Sequence, residues 1–351
     1  MNVLDLFCGA GGLSLGFQNA GFNIYGGVEF DSGAIETHTF NFNTEFHYHG
    51  DISSISDNII AKQLKDNIDG IIGGPPCQGF SAANRYLKDE DDPRNHLFFE
   101  YLRFVKIIKP KFFLIENVPQ ILTRDKGFAK DRILSITKEL GYDVQVKVLL
   151  ANDYGVPQIR RRAFFIGIRR DLNKKFDFGN IKPLFVNTTV WDAIGDLEEL
   201  ESGENRNTLF GIERTDIQNY YFDDSSMIIE NQDISVHNDK VVERIKHVPQ
   251  GGNWKDVPEE LWDTNRNNRH SSAYRRLDYN APSITIDTGH MNYFHPIFNR
   301  VPTVRESARI QSFQDSFIFK GTKTQQFRQV GNAVPPILAQ VIAKELMNIL
   351  K

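Results

Sequence analysis

The chain has 351 residues, 40% hydrophobic and 25% charged, with 41 basic against 45 acidic side chains for a formal net charge of −4. This is an ordinary globular composition, long enough for one large domain and a smaller one, each with a core of its own. Two cysteines exclude a disulfide framework and a four-ligand zinc set. No basic leader opens the chain and no apolar run approaches a spanning length of roughly 18 residues, so a soluble cytoplasmic protein is expected.

In chain order, NVLDLF (2–7) is a short apolar run ending at glycines, and GLSLGFQNAGF (12–22) has helical spacing. NIYGGVEF (23–30) reads as the next strand and SGAIETHTFNF (32–42) as the next helix. DGIIGG (69–74), KFFLIENV (111–118) and AFFIGI (163–168) read as buried strands, with helical stretches at 95–109 and 129–141 between them. Strands alternating with helices imply an α/β fold with a largely parallel sheet. The regularity stops near residue 180. From there to about 300 the chain is polar and rich in Asn and Asp, with short strand-like pieces such as PSITIDT (282–288). Helical patterning returns at 302–313 and at 335–350, where Ile337, Leu338, Val341, Ile342, Leu346 and Ile349 share one side. The expected layout is a large domain over 1–181, a smaller irregular one over 182–298, and a return segment, 299–351, completing the first.

Three features carry chemistry. DLFCGAGGLSLGF (5–17) places glycines between a strand and a helix, where backbone N–H groups can approach a ligand closely. Glu29, at the end of the second strand, stands where an acid binds ribose hydroxyls in such folds. Asp51, after a third strand-like piece, suits either an adenine amino group or a helix cap. Gly9-Ala10-Gly11-Gly12 is not the dinucleotide spacing and no Gly-Lys-Ser/Thr follows, so S-adenosylmethionine fits better than a dinucleotide or a nucleoside triphosphate. Second, in GGPPCQGF (73–80) Cys77 follows a strand end and two prolines of fixed φ, which present its thiol at the carboxyl edge of the sheet. Cys8, inside the glycine turn, reads as a packing residue. Third, RNNRHSSAYRR (266–276) holds four arginines and no acid, and QIRRRAFFIGIRR (158–170) holds five more. Such runs are either solvated surface or a nucleic-acid face.

Six blocks then occur in one order: DLFCGAGG, GGPPCQGFS, ENV (116–118), QIRRR (158–162), RVPTVRESARIQSF (300–313) and QVGNAVPP (329–336). Together, over most of the chain, they resemble the DNA (cytosine-5)-methyltransferases, most closely the bacterial modification enzymes. The resemblance implies a Rossmann-like S-adenosylmethionine-dependent methyltransferase fold, α/β with a mostly parallel sheet, plus a smaller irregular target-recognition domain. It implies methyl transfer to carbon 5 of a flipped cytosine in a short duplex site, with Cys77 adding at carbon 6. Glu116 would contact the ring nitrogen and exocyclic amine, which asks for a raised pKa. Arg160 and Arg162, sharing a face of an extended segment, would serve the active site, the second at the base carbonyl.

Around the cofactor, the resemblance assigns Phe7, Gly9, Ala10 and Gly12 to the loop, Glu29 to ribose and Phe30 to adenine packing. Asp51 and Ile52 continue the adenine site; Pro76, Leu97, Asn332 and Ala333 approach the amino-acid part. The polar loop 78–95, with Gln78 and Ser81, is expected to close over DNA, and Arg266, Arg269, Arg275 and Arg276 to contact phosphates or guanine. The implied partners are double-stranded DNA and a cognate restriction endonuclease, with the chain a monomer. Nine histidines without ligand spacing point to no metal. Gln314, Pro119 and Gln120 depart from the family pattern without touching a proposed catalytic atom. The nearest rival, a tRNA cytosine-5 methyltransferase, usually carries a Cys-Phe-Thr element, whereas both cysteines here precede residue 80. A non-catalytic DNA-binding protein of the same fold is disfavoured by intact Cys77, Glu116 and Arg162.

Overall fold

A computed structural model describes residues 1–76, 96–197, 213–222, 228–263, 274–289 and 292–351. The first unit comprises Met1–Ala151, Arg161–Leu184 and Val334–Lys351. Its sheet has seven strands: β1 (Asn2–Leu6), β2 (Asn23–Glu29), β3 (Phe46–His49), β4 (Gly70–Gly73), β5 (Phe112–Asn117), β6 (Tyr142–Leu150) and β7 (Arg161–Arg169). Their spatial order is β3-β2-β1-β4-β5-β7-β6. All neighbouring pairs are parallel except those of β7, which runs antiparallel to both β5 and β6. The apolar runs of β1, β4 and β5 are buried, as strands covered on both faces require. By contrast, β6 alternates: Val144, Val146 and Val148 pack toward the core while Asp143, Gln145 and Lys147 are exposed. That period of two marks a sheet edge with one solvated face. The sequence reading named no strand at 142–150.

The last helix, Pro336–Leu350, packs on helix Gly12–Asn19. Gly16 makes this possible: a Cβ there would lie 2.4 Å from Ala339 Cβ and 2.5 Å from the Pro336 carbonyl oxygen. The expected amphipathic face widens in the structure, because Ala339, Gln340, Ala343, Glu345 and Met347 are buried too.

The second unit comprises Asn152–Arg160 and Phe185–Ala333. Its regular strands among the described residues are short, β8 (Arg275–Arg276) paired in parallel with β9 (Tyr293–Phe294). Buried arginines replace an extended sheet as its organising contacts. Arg309 makes a bidentate pair with Asp315 (2.8 and 2.7 Å) and also bonds Asp196. Arg300 pairs bidentately with Glu306 at 2.7 Å, and Arg305 donates to the carbonyls of Glu230, Gln314 and Phe317. These bonds tie residues 300–317 into the second unit. Only Val334–Lys351 lies in the first unit, a shorter return than the 299–351 expected. Helix Lys323–Asn332, with a Thr322/Gln325 capping box, also went unread in a polar stretch with a weak apolar stripe.

Candidate active site

The glycine loop leaves β1 through three left-handed residues: Phe7 (φ 59°), Gly9 (φ 54°) and Gly11 (φ 105°). Gly11 is required on two counts, since a Cβ there would also sit 2.5 Å from Phe42 Cε2. Helix Gly12–Asn19 starts immediately after, so its first amides face the loop. Glu29 ends β2 and locks the neighbourhood together. Its Oε2 accepts from the Gly9 amide at 2.9 Å, and its Oε1 accepts from the Phe30 and Asp31 amides at 2.8 and 2.9 Å. The Phe30 ring beside it is 75% exposed, while Ala10, Gly12 and Ile52 are buried. Asp51 is exposed and caps the turn Ile52–Ser54 by accepting from the Ser53 amide at 2.9 Å, which holds its carboxyl below the ordinary range. The cap is thus observed. Leu97 is half-buried against the core, and Pro76 is exposed beyond β4. Asn332 is exposed and Ala333 half-buried, both in the second unit.

A second cluster forms at the ends of β4, β5 and β7. Because β7 is antiparallel, its first residues lie beside the carboxyl end of β5, the edge where open α/β sheets bind ligands. Arg162 Nε reaches Glu116 Oε1 there at 2.8 Å, both side chains mostly buried. Glu116 Oε2 faces Gly74, where a Cβ would come within 3.0 Å of it. The next residue, Asn117, donates from Nδ2 to the Pro75 carbonyl at 2.9 Å and accepts the Val118 amide on Oδ1. Asn117 therefore clamps the backbone two residues before Cys77. The role of Asn117 went unassigned in the sequence expectations, although the ENV block contains it. Cys77, Gln78, Ser81, Arg266 and Arg269, with the rest of loop 78–95, lie outside the described residues.

Arg160 is buried and Arg162 mostly buried, with Arg161 exposed between them. Arg160 donates to the carbonyls of Ile286 (3.1 Å) and Gly331 (2.8 Å). One expectation is corrected: Arg276 is not presented to DNA. It is buried, and its nitrogens donate to the carbonyls of Val248 (2.5 Å), Ile245 (2.7 Å), His295 (3.0 Å) and Phe298 (3.1 Å) and to Asn299 Oδ1 (2.7 Å). Charge counted along the chain cannot tell a solvated guanidinium from one consumed inside. Arg275 is half-buried beside it, and Arg161 is exposed. Cys8 is buried, and burial pushes its thiol pKa up, which suits packing rather than nucleophilic work.

Comparison with known proteins follows the same lines. The chain is 39% identical over 350 residues to the Type II methyltransferase M1.HphI of Haemophilus parahaemolyticus, covering 99% of this chain and 87% of that one. It is 38% identical over 375 residues to M.DdeI of Desulfomicrobium norvegicum, covering 99% and 88%. A crystal structure described as a prophage-encoded DNA modification methyltransferase (E. coli) superimposes with a TM-score of 0.80 at 33% identity, covering 100% and 99%. The S. pombe Dnmt2 methyltransferase shares the fold at 16% identity, with a TM-score of 0.59 and coverage of 100% and 98%. The sequence profile described as C-5 cytosine-specific DNA methylase matches residues 1–348. The chain belongs to that family and is a DNA cytosine-5 methyltransferase of the restriction-modification type.

Proposed function

We propose that the protein methylates carbon 5 of a cytosine flipped out of one specific short duplex sequence, with Cys77 as covalent nucleophile at carbon 6. The observation that carries this reading is the cluster at the sheet edge, where Arg162 fixes Glu116 and Asn117 fixes the Pro75 carbonyl just before Cys77 in the chain. Carbon 5 of cytosine is a weak nucleophile. A Cys77 thiolate forms an S–C6 bond, ring nitrogen 3 takes a proton from Glu116, and carbon 5 becomes an enamine carbon able to attack an electrophilic methyl. Water takes the carbon 5 proton as the S–C6 bond breaks and the thiolate is returned, and the nitrogen 3 proton goes back to Glu116. Arg162 orients Glu116 and supplies positive charge near the base carbonyl. Flipping costs a few kcal/mol of stacking, which contacts to the displaced base must offset.

The first unit fits S-adenosylmethionine as methyl donor. Gly9 has open space where a Cβ would be, Glu29 is anchored at the β2 terminus, and the Phe30 ring stands uncovered beside it. When bound, that cofactor supplies a methyl group on a sulfonium. Phe7, Gly9, Ala10 and Gly12 would line it with backbone, Glu29 would take the ribose, and Phe30, Asp51 and Ile52 the adenine. Pro76, Leu97, Asn332 and Ala333 would hold the amino-acid part. We place the protein in the cytoplasm as a monomer acting beside a cognate endonuclease, with Arg275, Arg266 and Arg269 on the DNA and Gln78 and Ser81 near the target.

The test is trapping on duplex DNA carrying 5-fluorocytosine at the methylated position, found by bisulfite sequencing of DNA from expressing cells. Wild-type protein is expected to form a cofactor-dependent covalent adduct, and Cys77→Ser to bind the DNA without forming it. Turnover without an adduct would remove the thiolate mechanism. Methylation of tRNA but not duplex DNA would transfer the activity to the rival substrate.

A further inference from the structure

Beneath the glycine loop runs a chain of buried polar groups that the methylation chemistry does not use. Asp5, in β1, is fully buried. Its Oδ2 lies 2.7 Å from Ser14 Oγ, and its Oδ1 has no hydrogen-bond partner among the described residues. Ser14 Oγ is 3.0 Å from His38 Nε2, His38 Nδ1 is 2.8 Å from His47 Nε2, and His47 Nδ1 is 2.9 Å from Thr44 Oγ1. The chain thus runs from an inaccessible carboxyl to two half-buried groups, His47 and Thr44.

Donor counting leaves two self-consistent arrangements, each with both imidazoles neutral. With Asp5 ionised, Thr44 donates to His47 Nδ1, His47 Nε2–H to His38 Nδ1, His38 Nε2–H to Ser14, and Ser14 to Asp5. With Asp5 protonated, every donor reverses: Asp5 donates to Ser14, Ser14 to His38 Nε2, His38 Nδ1–H to His47 Nε2, and His47 Nδ1–H to Thr44. The two differ by one proton, entering at His47 and arriving on Asp5. We propose that Thr44, His47, His38 and Ser14 form a proton relay through which buried Asp5 exchanges its proton with solvent, setting the charge under the Phe7–Gly12 loop.

The electrostatics suit a group poised to change charge. Burial first, opposed by the Ser14 bond and aided by the Glu29 carboxylate, pushes the Asp5 pKa up to about 7. Burial takes His38 down to about 3, aided by His47, and lowers His47 as well, so both rings stay neutral while Asp5 titrates. The other groups facing Asp5 hold their protons: Tyr101, from helix His96–Ile108, is buried and donates to the carbonyls of Ile71 and Leu114, and the Cys8 thiol is pushed up by burial. Resting on the cofactor reading above, the relay has a ligand to serve. A sulfonium cofactor favours ionised Asp5, whereas the neutral thioether left after methyl transfer does not.

The tautomers make the relay measurable without any ligand. In the full chain labelled with 15N-histidine, two-bond 1H–15N spectra from pH 5.5 to 8.5 are expected to show His38 and His47 changing together from Nε2–H to Nδ1–H as pH falls through about 7. His38 should not become imidazolium. Asp5→Asn is expected to lock one tautomer, and Ser14→Ala, which leaves the carboxyl in place, to uncouple both rings from it. An imidazolium at His38 in this range, or unchanged tautomers throughout, would overturn the relay. Calorimetry then tests the ligand. One pH unit below the midpoint, where about a tenth of Asp5 is ionised, S-adenosylmethionine should bind about tenfold more weakly and S-adenosylhomocysteine unchanged. A tautomer switch with a flat affinity ratio would sever the relay from the loop, whereas no binding at any pH would count against the cofactor reading alone.

Discussion

Replacing Arg276 separates a structural guanidinium from a DNA-reading one. Five acceptors lie within 3.1 Å of its nitrogens: the carbonyls of Ile245, Val248, His295 and Phe298, and Asn299 Oδ1. Arg276→Met keeps the stem and removes every donor. Each buried carbonyl left unmet costs about 1–3 kcal/mol, and partial relaxation or water entry recovers some of that. The expected loss is about 3–5 kcal/mol, the range typical of a broken buried network. Arg276→Lys, with three donors and no planar fork, should lose roughly half as much. Urea unfolding of the full chain measures this, alongside the salt dependence of binding to a mixed-sequence duplex. Were the guanidinium bound to a phosphate, its removal would lower the slope of log K against log salt by about 0.9, and no such change is expected. Native-like stability together with a slope reduced by about one would refute the reasoning and return Arg276 to the DNA interface.

Gly16→Ala should destabilise the protein by about 1–3 kcal/mol in thermal or urea unfolding, because its methyl would collide with Ala339 and the Pro336 carbonyl, neither of which can rotate away. Asn117→Ala should slow adduct formation on 5-fluorocytosine DNA while changing duplex affinity little, since it frees the Pro75 carbonyl just before Cys77. Acid should weaken the fold through His295, whose Nδ1 accepts the Ile297 and Phe298 amides and whose pKa burial lowers to about 4. Between about 6.5 and 4 the unfolded chain therefore binds the extra proton, and stability falls with pH by up to about 1.4 kcal/mol per unit. His38 acts with the same sign. Asp5, raised to about 7, acts with the opposite sign by binding its proton in the native state, so those two largely offset. His295→Asn, which keeps an acceptor near Nδ1, should flatten the urea midpoint between pH 7.5 and 5; an unchanged slope would sink the assignment.

Much of the fold and site was readable because its signals are local. Apolar runs marked β1, β4 and β5, the first two ending at glycines, since strands buried on both faces need nothing else. The loop at 9–12 and Glu29 could be placed because strand, turn and acid lie within thirty residues of chain. Family order then named Glu116 and Arg162 as separate contacts to the base, and the structure adds that they pair with each other at 2.8 Å. What stayed hidden depends on neighbours remote in sequence. The antiparallel insertion of β7, which brings Arg162 to the end of β5, is a choice of sheet partner that no local pattern encodes. The fates of Arg160 and Arg276 turn on carbonyls 126 and 31 positions away, at Ile286 and Ile245, so counting basic residues could only call them candidates. The Asp5–His47 relay draws on two strands and two helices, each contributing a residue unremarkable in its own segment. Sequence alone determined which chemical groups this protein owns and which short-range turns present them. Tertiary structure decided which charges reach solvent, because burial and hydrogen-bond satisfaction are properties of packing.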